Sequence, residues 1–216
     1  MSHDLFTPEE LQEIQQAVKQ AEATSGGEIV PSLARQSSFY ETAFWRAGFL
    51  FALFASIVLS VLYLATDYLL LTPPYLWLLI VLVSGLLGAL LAQWIPPFKR
   101  LFISKAVQEA RVLDQAKDMF YDHGVSFTEQ RTGVLIYVSF FEHQAVILAD
   151  VGINELVPPD AWDTIISQLT AGLQQGRYAA SISEAIIACG QLVEESGVQR
   201  AVEDGNELSD EVRIEE

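Results

Sequence analysis

Apolar positions recur along this chain with three different periods. Leu11, Ile14, Ala17, Val18 and Ala21 are spaced three to four residues apart, which predicts one buried face of a helix. Thr7-Pro8-Glu9-Glu10 supplies its start: Thr7 caps, Pro8 suits the first helical position, and Glu10 completes a capping box. Ser25-Gly26-Gly27 ends it, and "EIVPSLA" (Glu28–Ala34) reads as a strand, with Pro31 predicting an edge position.

Two long apolar runs follow. Ala47–Ala65 contains no charged residue, and Leu76–Ile95 is equally long and equally uncharged. At about 1.5 Å rise per residue each makes a helix of roughly 28 Å, close to the hydrocarbon thickness of a bilayer. Tyr75, Trp77 and Trp94 stand near the ends of the second run, where aromatic rings meet headgroups. Pro73 and Pro74 break the connector. The pattern predicts a transmembrane hairpin. Ser84, Gly85, Gly88, Ala89 and Ala92 form a small-residue face that suits close packing, on the first span or on a second copy.

Beyond the hairpin the helical period returns. Phe102, Ala106, Ala110, Leu113, Ala116 and Phe120 predict a helix over 99–122, closed by His123-Gly124. Strands are expected at Val134–Phe140 and Ala145–Ala149. A helix is expected from Pro158-Pro159-Asp160 to Gly176, with Trp162, Ile165, Ile166, Leu169 and Leu173 inward. A last helix over Ser181–Glu195 carries Ile182, Ala185, Ile186, Cys189, Leu192 and Val193 on one face. The first polar segment, one helix and one strand, is too small to bury a core alone. Its strand must pair with those after the hairpin. The fold class expected is α/β, one domain in two parts (1–43 and 99–202) interrupted by the hairpin (44–98) and followed by an acidic tail (203–216), which either stays solvated, adds a short strand through Val212 and Ile214, or docks on a basic partner.

Charge follows the same division. The 216 residues carry a net charge of −16, yet residues 45–98 hold only Arg46 and Asp67. So acidic a surface disfavours nucleic acid. Arg46 precedes the hairpin and Lys99, Arg100, Lys105 and Arg111 follow it, while the connector has no basic residue. That bias predicts two spans of a cytoplasmic (inner) membrane with both termini in the cytoplasm. No ionisable residue lies inside either span, which argues for an anchor over a transport path. The one cysteine, Cys189, reads as a small core residue.

The stretch with most chemistry is "ADVGINE". Asp150 ends a strand, Gly152 permits a sharp turn, and Asn154, Glu155 and Asp163 add oxygen-bearing side chains. Hard cations such as Ca2+ or Mg2+ want six or more oxygens, so Asp150, Asn154, Glu155 and Asp163 form a candidate metal set. Each residue also has a structural reading: Asp150 paired with Arg131 or accepting backbone N–H groups, Gly152 in a turn, Asn154 in a turn, Asp160 at a helix start. Arg131 could clamp a phosphate or carboxylate, which makes Arg131 and Gly152 the candidate ligand-binding residues, or hold Asp150 or Glu28 as an ion pair.

"SGGEIVPSLARQSSFY" after an N-terminal helix, the run from "RTGVLIYVSFFEHQAVILADVGINELVPPDAWD" to "SEAIIACGQL", and "GNELSDEVRI" together resemble the TPM domain family. That family includes thylakoid-lumen proteins of photosystem II repair, a nematode receptor modulator and many bacterial membrane proteins. The resemblance implies a small mixed sheet flanked by helices. It places Asp150 and Gly152 on the family's D-x-G stretch, with which calcium is associated. It also implies either a binding or assembly role beside a membrane complex or an acid-phosphatase activity. Expected partners are the lipid bilayer, a membrane protein and a second copy through the Gly85/Gly88 face. The alternative is a metal-assisted phosphatase with Asp150 on the ion and Arg131 on phosphate.

Overall fold

A computed structural model describes residues 6–66, 73–158, 160–198, 208 and 212–215. The order of elements is α1 (Pro8–Thr24), β1 (Glu28–Ala34), α2 (Glu41–Ala65), α3 (Pro74–Trp94), α4 (Pro96–Arg100), α5 (Lys105–Asp122), β2 (Gly133–Ser139), β3 (Gln144–Ala149), α6 (Val151–Asn154), α7 (Ala161–Gln174), α8 (Tyr178–Glu195) and β4 (Arg213–Glu215). The chain divides into two compact units, residues 1–37 with 109–216, and residues 38–108.

The first unit is built on a four-stranded mixed sheet in the order β3-β2-β1-β4. β1 and β2 run parallel over seven residue pairs, Glu28 with Gly133 through Ala34 with Ser139. β2 and β3 form an antiparallel hairpin. β2 is buried along its whole length, as a strand covered on both faces must be. Val134, Ile136 and Val138 join Ile29 and Leu33 in a core built with α1, α7 and α8. Leu135 and Tyr137 point the other way, with Val30 and Ala34, into a smaller core under Val112, Ala116, Met119 and Phe120 of α5. The Thr7 capping box forms as the sequence predicts: Glu10 N–H donates to Thr7 Oγ1 and Thr7 N–H to the Glu10 carboxylate.

Three expectations are corrected. Pro31 does not mark an edge strand, because β4 flanks β1 on its outer side. Among the described residues β4 pairs with Ser32–Ala34, so Pro31 stands just before that pairing begins. Two residues earlier, Ile29 N–H donates to the Glu22 carboxylate at 2.9 Å. Next, α5 does not run from 99. The chain forms the short α4, turns at 101–104, and restarts with the Ser104 carbonyl accepting from Val107 and Gln108. The buried face of α5 is Val112, Ala116, Met119 and Phe120, which pack under the sheet, so Ala110 and Leu113 of the expected stripe are exposed. Last, the acidic run 203–216 is not wholly a tail, since Arg213–Glu215 joins the sheet. The rest of that run apart from Leu208 and Val212, the connector 67–72 and Pro159 lie outside the described residues.

The second unit is the helical hairpin. α2 and α3 are long and apolar enough to cross a membrane, and most of their large apolar side chains are exposed. They pack through small residues. A Cβ on Gly85 would lie 3.2 Å from Ala52 Cβ and the Gly48 carbonyl, and one on Gly88 would lie 2.9 Å from the Ala47 carbonyl. The Gly85/Gly88 face thus packs on α2 of the same chain, the first of the two packings expected for it. Tyr63 and Trp77 meet edge to face at the far end, 5.4 Å between centroids.

Candidate functional site

Arg131 and Asp150 come together where the β2–β3 hairpin opens. Asp150 N–H donates to the Gly133 carbonyl, continuing the antiparallel ladder by one bond. The backbone then turns into α6, with Asp150 at the cap position and its Oδ1 accepting from Val151 N–H at 2.7 Å. The other oxygen, Oδ2, lies 2.8 Å from Arg131 Nε. The distance is that of an ion pair, but the N–H direction leaves Oδ2 without an aligned hydrogen bond. Asp150 is 5% exposed and Arg131 52% exposed, so the carboxylate is the buried partner and the guanidinium shields it from solvent.

Gly133 and Gly152 belong to the same junction. A Cβ on Gly133 would collide with the Val125 carbonyl oxygen. A Cβ on Gly152 would sit 2.6 Å and 2.7 Å from the carbonyl oxygens of Gln130 and Arg131. Gly152 N–H donates to that same Arg131 carbonyl. Glycine stands at 152 because two backbones meet, and its φ is not in the left-handed region. Arg131 is the residue with positive φ, +57°, which lets the loop bring both its carbonyl and its side chain to the 150–152 turn.

The remaining candidates are placed apart in role. Asn154 turns its amide toward the Ala149 carbonyl, 2.6 Å away, and so closes α6 back onto β3. Glu155 follows α6 and is exposed; Asp163 is exposed in the first turn of α7, where a carboxylate favours the helix dipole. Among the described residues no group of three or more His, Cys, Asp or Glu side chains is gathered to hold a metal ion. The donor set does not fit a hard cation: the buried carboxylate already faces a guanidinium, and Asn154 presents N–H2 to the backbone.

The sequence pattern did not mark a second polar cluster, at the opposite end of the sheet. The register sets Tyr137, Ser32 and Arg213 side by side across β2, β1 and β4. Tyr137 Oη lies 3.0 Å from Ser37 Oγ, and the buried Glu142 accepts from Ser37 N–H at 3.0 Å and from the Ser139 hydroxyl. Burial pushes the Tyr137 phenol up to about 12, against the opposing Ser37 hydrogen bond. His123, after α5, lies 3.4 Å from Arg213 Nη1 through Nδ1 and 3.4 Å from Glu215 Oε1 through Nε2. Arginine can only donate, so Nδ1 accepts and the ring proton of the neutral form sits on Nε2. Burial lowers the His123 pKa, and the Arg213 charge lowers it further. Among the described residues, Ser32 Oγ, His123 Nε2 and Arg213 Nε are buried here without an aligned partner. The apolar Val212 and Ile214 were the sequence signal for β4, but only the fold brings its charges to His123.

Cys189 is buried in the α8 core, and burial pushes its thiol up, away from the reactive thiolate. Neither cluster aligns a nucleophile with a free base.

Comparison with known proteins agrees with this architecture. No curated protein matches the chain. The NMR structure of the BA42 protein from the psychrophilic bacterium Bizionia argentinensis superposes with a TM-score of 0.59 at 20% identity, covering 97% of this chain and 95% of that one. At that identity the likeness is one of fold. The family model described as the TPM domain matches residues 100–192, the stretch that runs from the end of α4 through both hairpin strands and most of α8. On a mixed sheet flanked by helices, the chain thus matches the TPM domain over residues 100–192.

Proposed function

We propose that this protein is a membrane-anchored binding module that regulates or helps assemble a membrane complex. Its hairpin spans the cytoplasmic (inner) membrane twice, and both termini lie in the cytoplasm. One observation carries the reading: β1 and β2 are adjacent strands, paired over seven residues, although the two apolar helices separate them in sequence. Strands on opposite sides of a bilayer could not pair, so the flanks share one side. The basic residues Arg46, Lys99, Arg100 and Lys105 favour the cytoplasmic side for them.

Binding is favoured over catalysis because the strongest candidate groups are occupied. Asp150 holds Arg131 and the α6 cap, and Cys189 is buried. The test is affinity recovery of the tagged full chain from membranes dissolved in mild detergent, beside a hairpin-only control. Reproducible, stoichiometric recovery of a membrane complex with the full chain alone is the expected result. Recovery of the protein by itself, or tags on the two termini mapping to opposite sides, overturns the proposal.

A further inference from the structure

The charge of this chain is unevenly placed. Residues 38–108 contain Arg46, Lys99, Arg100 and Lys105 against Glu41 and Asp67, a net +2, so the other residues together carry −18. All four cations belong to one end of the hairpin, where α2 begins and α3 finishes. Two of them, Arg46 and Lys99, are held there by contacts within the same unit. Arg46 Nη1 donates to the Phe102 carbonyl at 3.0 Å, tying the start of α2 to the turn after α4. Lys99 Nζ stands 6.0 Å from the centroid of the Tyr40 ring. Phe98 packs edge to face on both Phe51 and Phe102, with centroids 5.9 Å and 5.0 Å away, which fixes α4 beside α2. Trp45 and Trp94, 73% and 80% exposed, stand at the same end. Indole rings settle at headgroup depth, so the cations beyond them are delivered to the phosphate level.

We propose that this basic collar binds the headgroups of anionic phospholipids in preference to zwitterionic ones. The proposal rests on the hairpin lying in a bilayer. Guanidinium and ammonium groups donate charge-assisted hydrogen bonds to phosphate oxygens. An anionic surface attracts each basic residue beside it by about fivefold in affinity, and would otherwise repel a chain of this net charge. The far end of the hairpin has Tyr63, Tyr75 and Trp77 but no basic residue, and serves as an internal reference.

The test uses the full chain in phosphatidylcholine vesicles, with brominated lipids as quenchers of tryptophan. In a Trp77→Phe variant the lipid-accessible indoles are Trp45 and Trp94; the fourth tryptophan, Trp162, is buried in the other unit. Brominated phosphatidylglycerol should quench this variant with at least about threefold higher apparent affinity than brominated phosphatidylcholine. Lys99→Gln with Arg100→Gln should remove most of the difference. A Trp45→Phe/Trp94→Phe variant, which reports from Trp77, should show no preference. Equal quenching at the collar, or a preference that survives the double substitution, overturns the proposal. Loss of the preference in millimolar inorganic phosphate, but not in sodium chloride of equal ionic strength, would assign the collar to free phosphate and also overturn it. Failure of even brominated phosphatidylcholine to quench the collar would mean that the hairpin is not in lipid, and both readings would fall.

Discussion

Replacing Asp150 separates the two roles that a buried carboxylate at a strand end could have. In the structure it accepts Val151 N–H at 2.7 Å and faces Arg131 Nε at 2.8 Å. Asp150→Ala removes both contacts. Loss of the cap costs about 1 kcal/mol. Loss of the pair adds about 1 kcal/mol, near the upper end for exposed pairs, because Arg131 is half exposed and solvent screens it. Asp150→Asn keeps a good capping acceptor and loses only the charge, so it should cost about half as much. A double-mutant cycle with Arg131→Gln should return a coupling energy of about 1 kcal/mol. The assay is unfolding of the full chain in detergent, followed by the fluorescence of the buried Trp162. A loss of about 2 kcal/mol lowers the midpoint by roughly 4–8 °C in a domain of this size. The same experiment with calcium tests the rival role. A site with a Kd of about 10 µM would gain about 2.7 kcal/mol in 1 mM calcium. Here calcium should leave the midpoint unchanged. A calcium-dependent rise that disappears in Asp150→Asn, or an Asp150→Asn protein more stable than the parent without metal, would refute the ion-pair reasoning.

Three further outcomes follow from the same geometry. Gly152→Ala should destabilise the first unit by about 2 kcal/mol, since its Cβ meets two backbone carbonyls that cannot turn aside; unchanged hydrogen exchange across β2 and β3 would contradict this. His123 has a folded-state pKa below its unfolded value, so its contribution is intact above the ordinary histidine range and is lost as pH falls through the folded pKa. Exchange of the Arg213–Glu215 amides, corrected for intrinsic rates, should therefore quicken on acidification, and His123→Gln should abolish that dependence; the same acid response in the variant would remove the assignment. Cys189 should resist thiol reagents in the folded protein and react fully once denatured, and labelling before unfolding would place it outside the core.

The junction at Arg131 and Asp150 was only half legible from sequence. The ion pair was one of the readings open at Asp150, and the residues are where that reading needs them. What could not be read was why Gly152 is glycine. Turn chemistry depends on a residue's own φ and is written locally, whereas the collision at Gly152 involves carbonyls about twenty residues away. α5 failed for a related reason. Ala106, Ala110 and Leu113 have the same helical spacing as Val112, Ala116 and Met119, and only packing against the sheet selects between the two stripes. β4 lay at the limit of what a pattern can say, because three residues with alternating polarity acquire a strand conformation only when an edge is there to receive them.

Sequence alone determined the properties that depend on neighbours along the chain: the capping box at Thr7, the two lipid-length helices, the strands at 28–34 and, to within a residue, 145–149, and the charge contrast between hairpin and flanks. These follow from hydration and backbone geometry over a few residues. Tertiary structure decided which strand sits beside which, that the Gly85/Gly88 face is filled by α2, and that Asp150 is buried against Arg131 rather than gathered with Asn154, Glu155 and Asp163. Those outcomes turn on atoms brought together from distant positions, and the energies that select them arise only when the chain has closed on itself and excluded water.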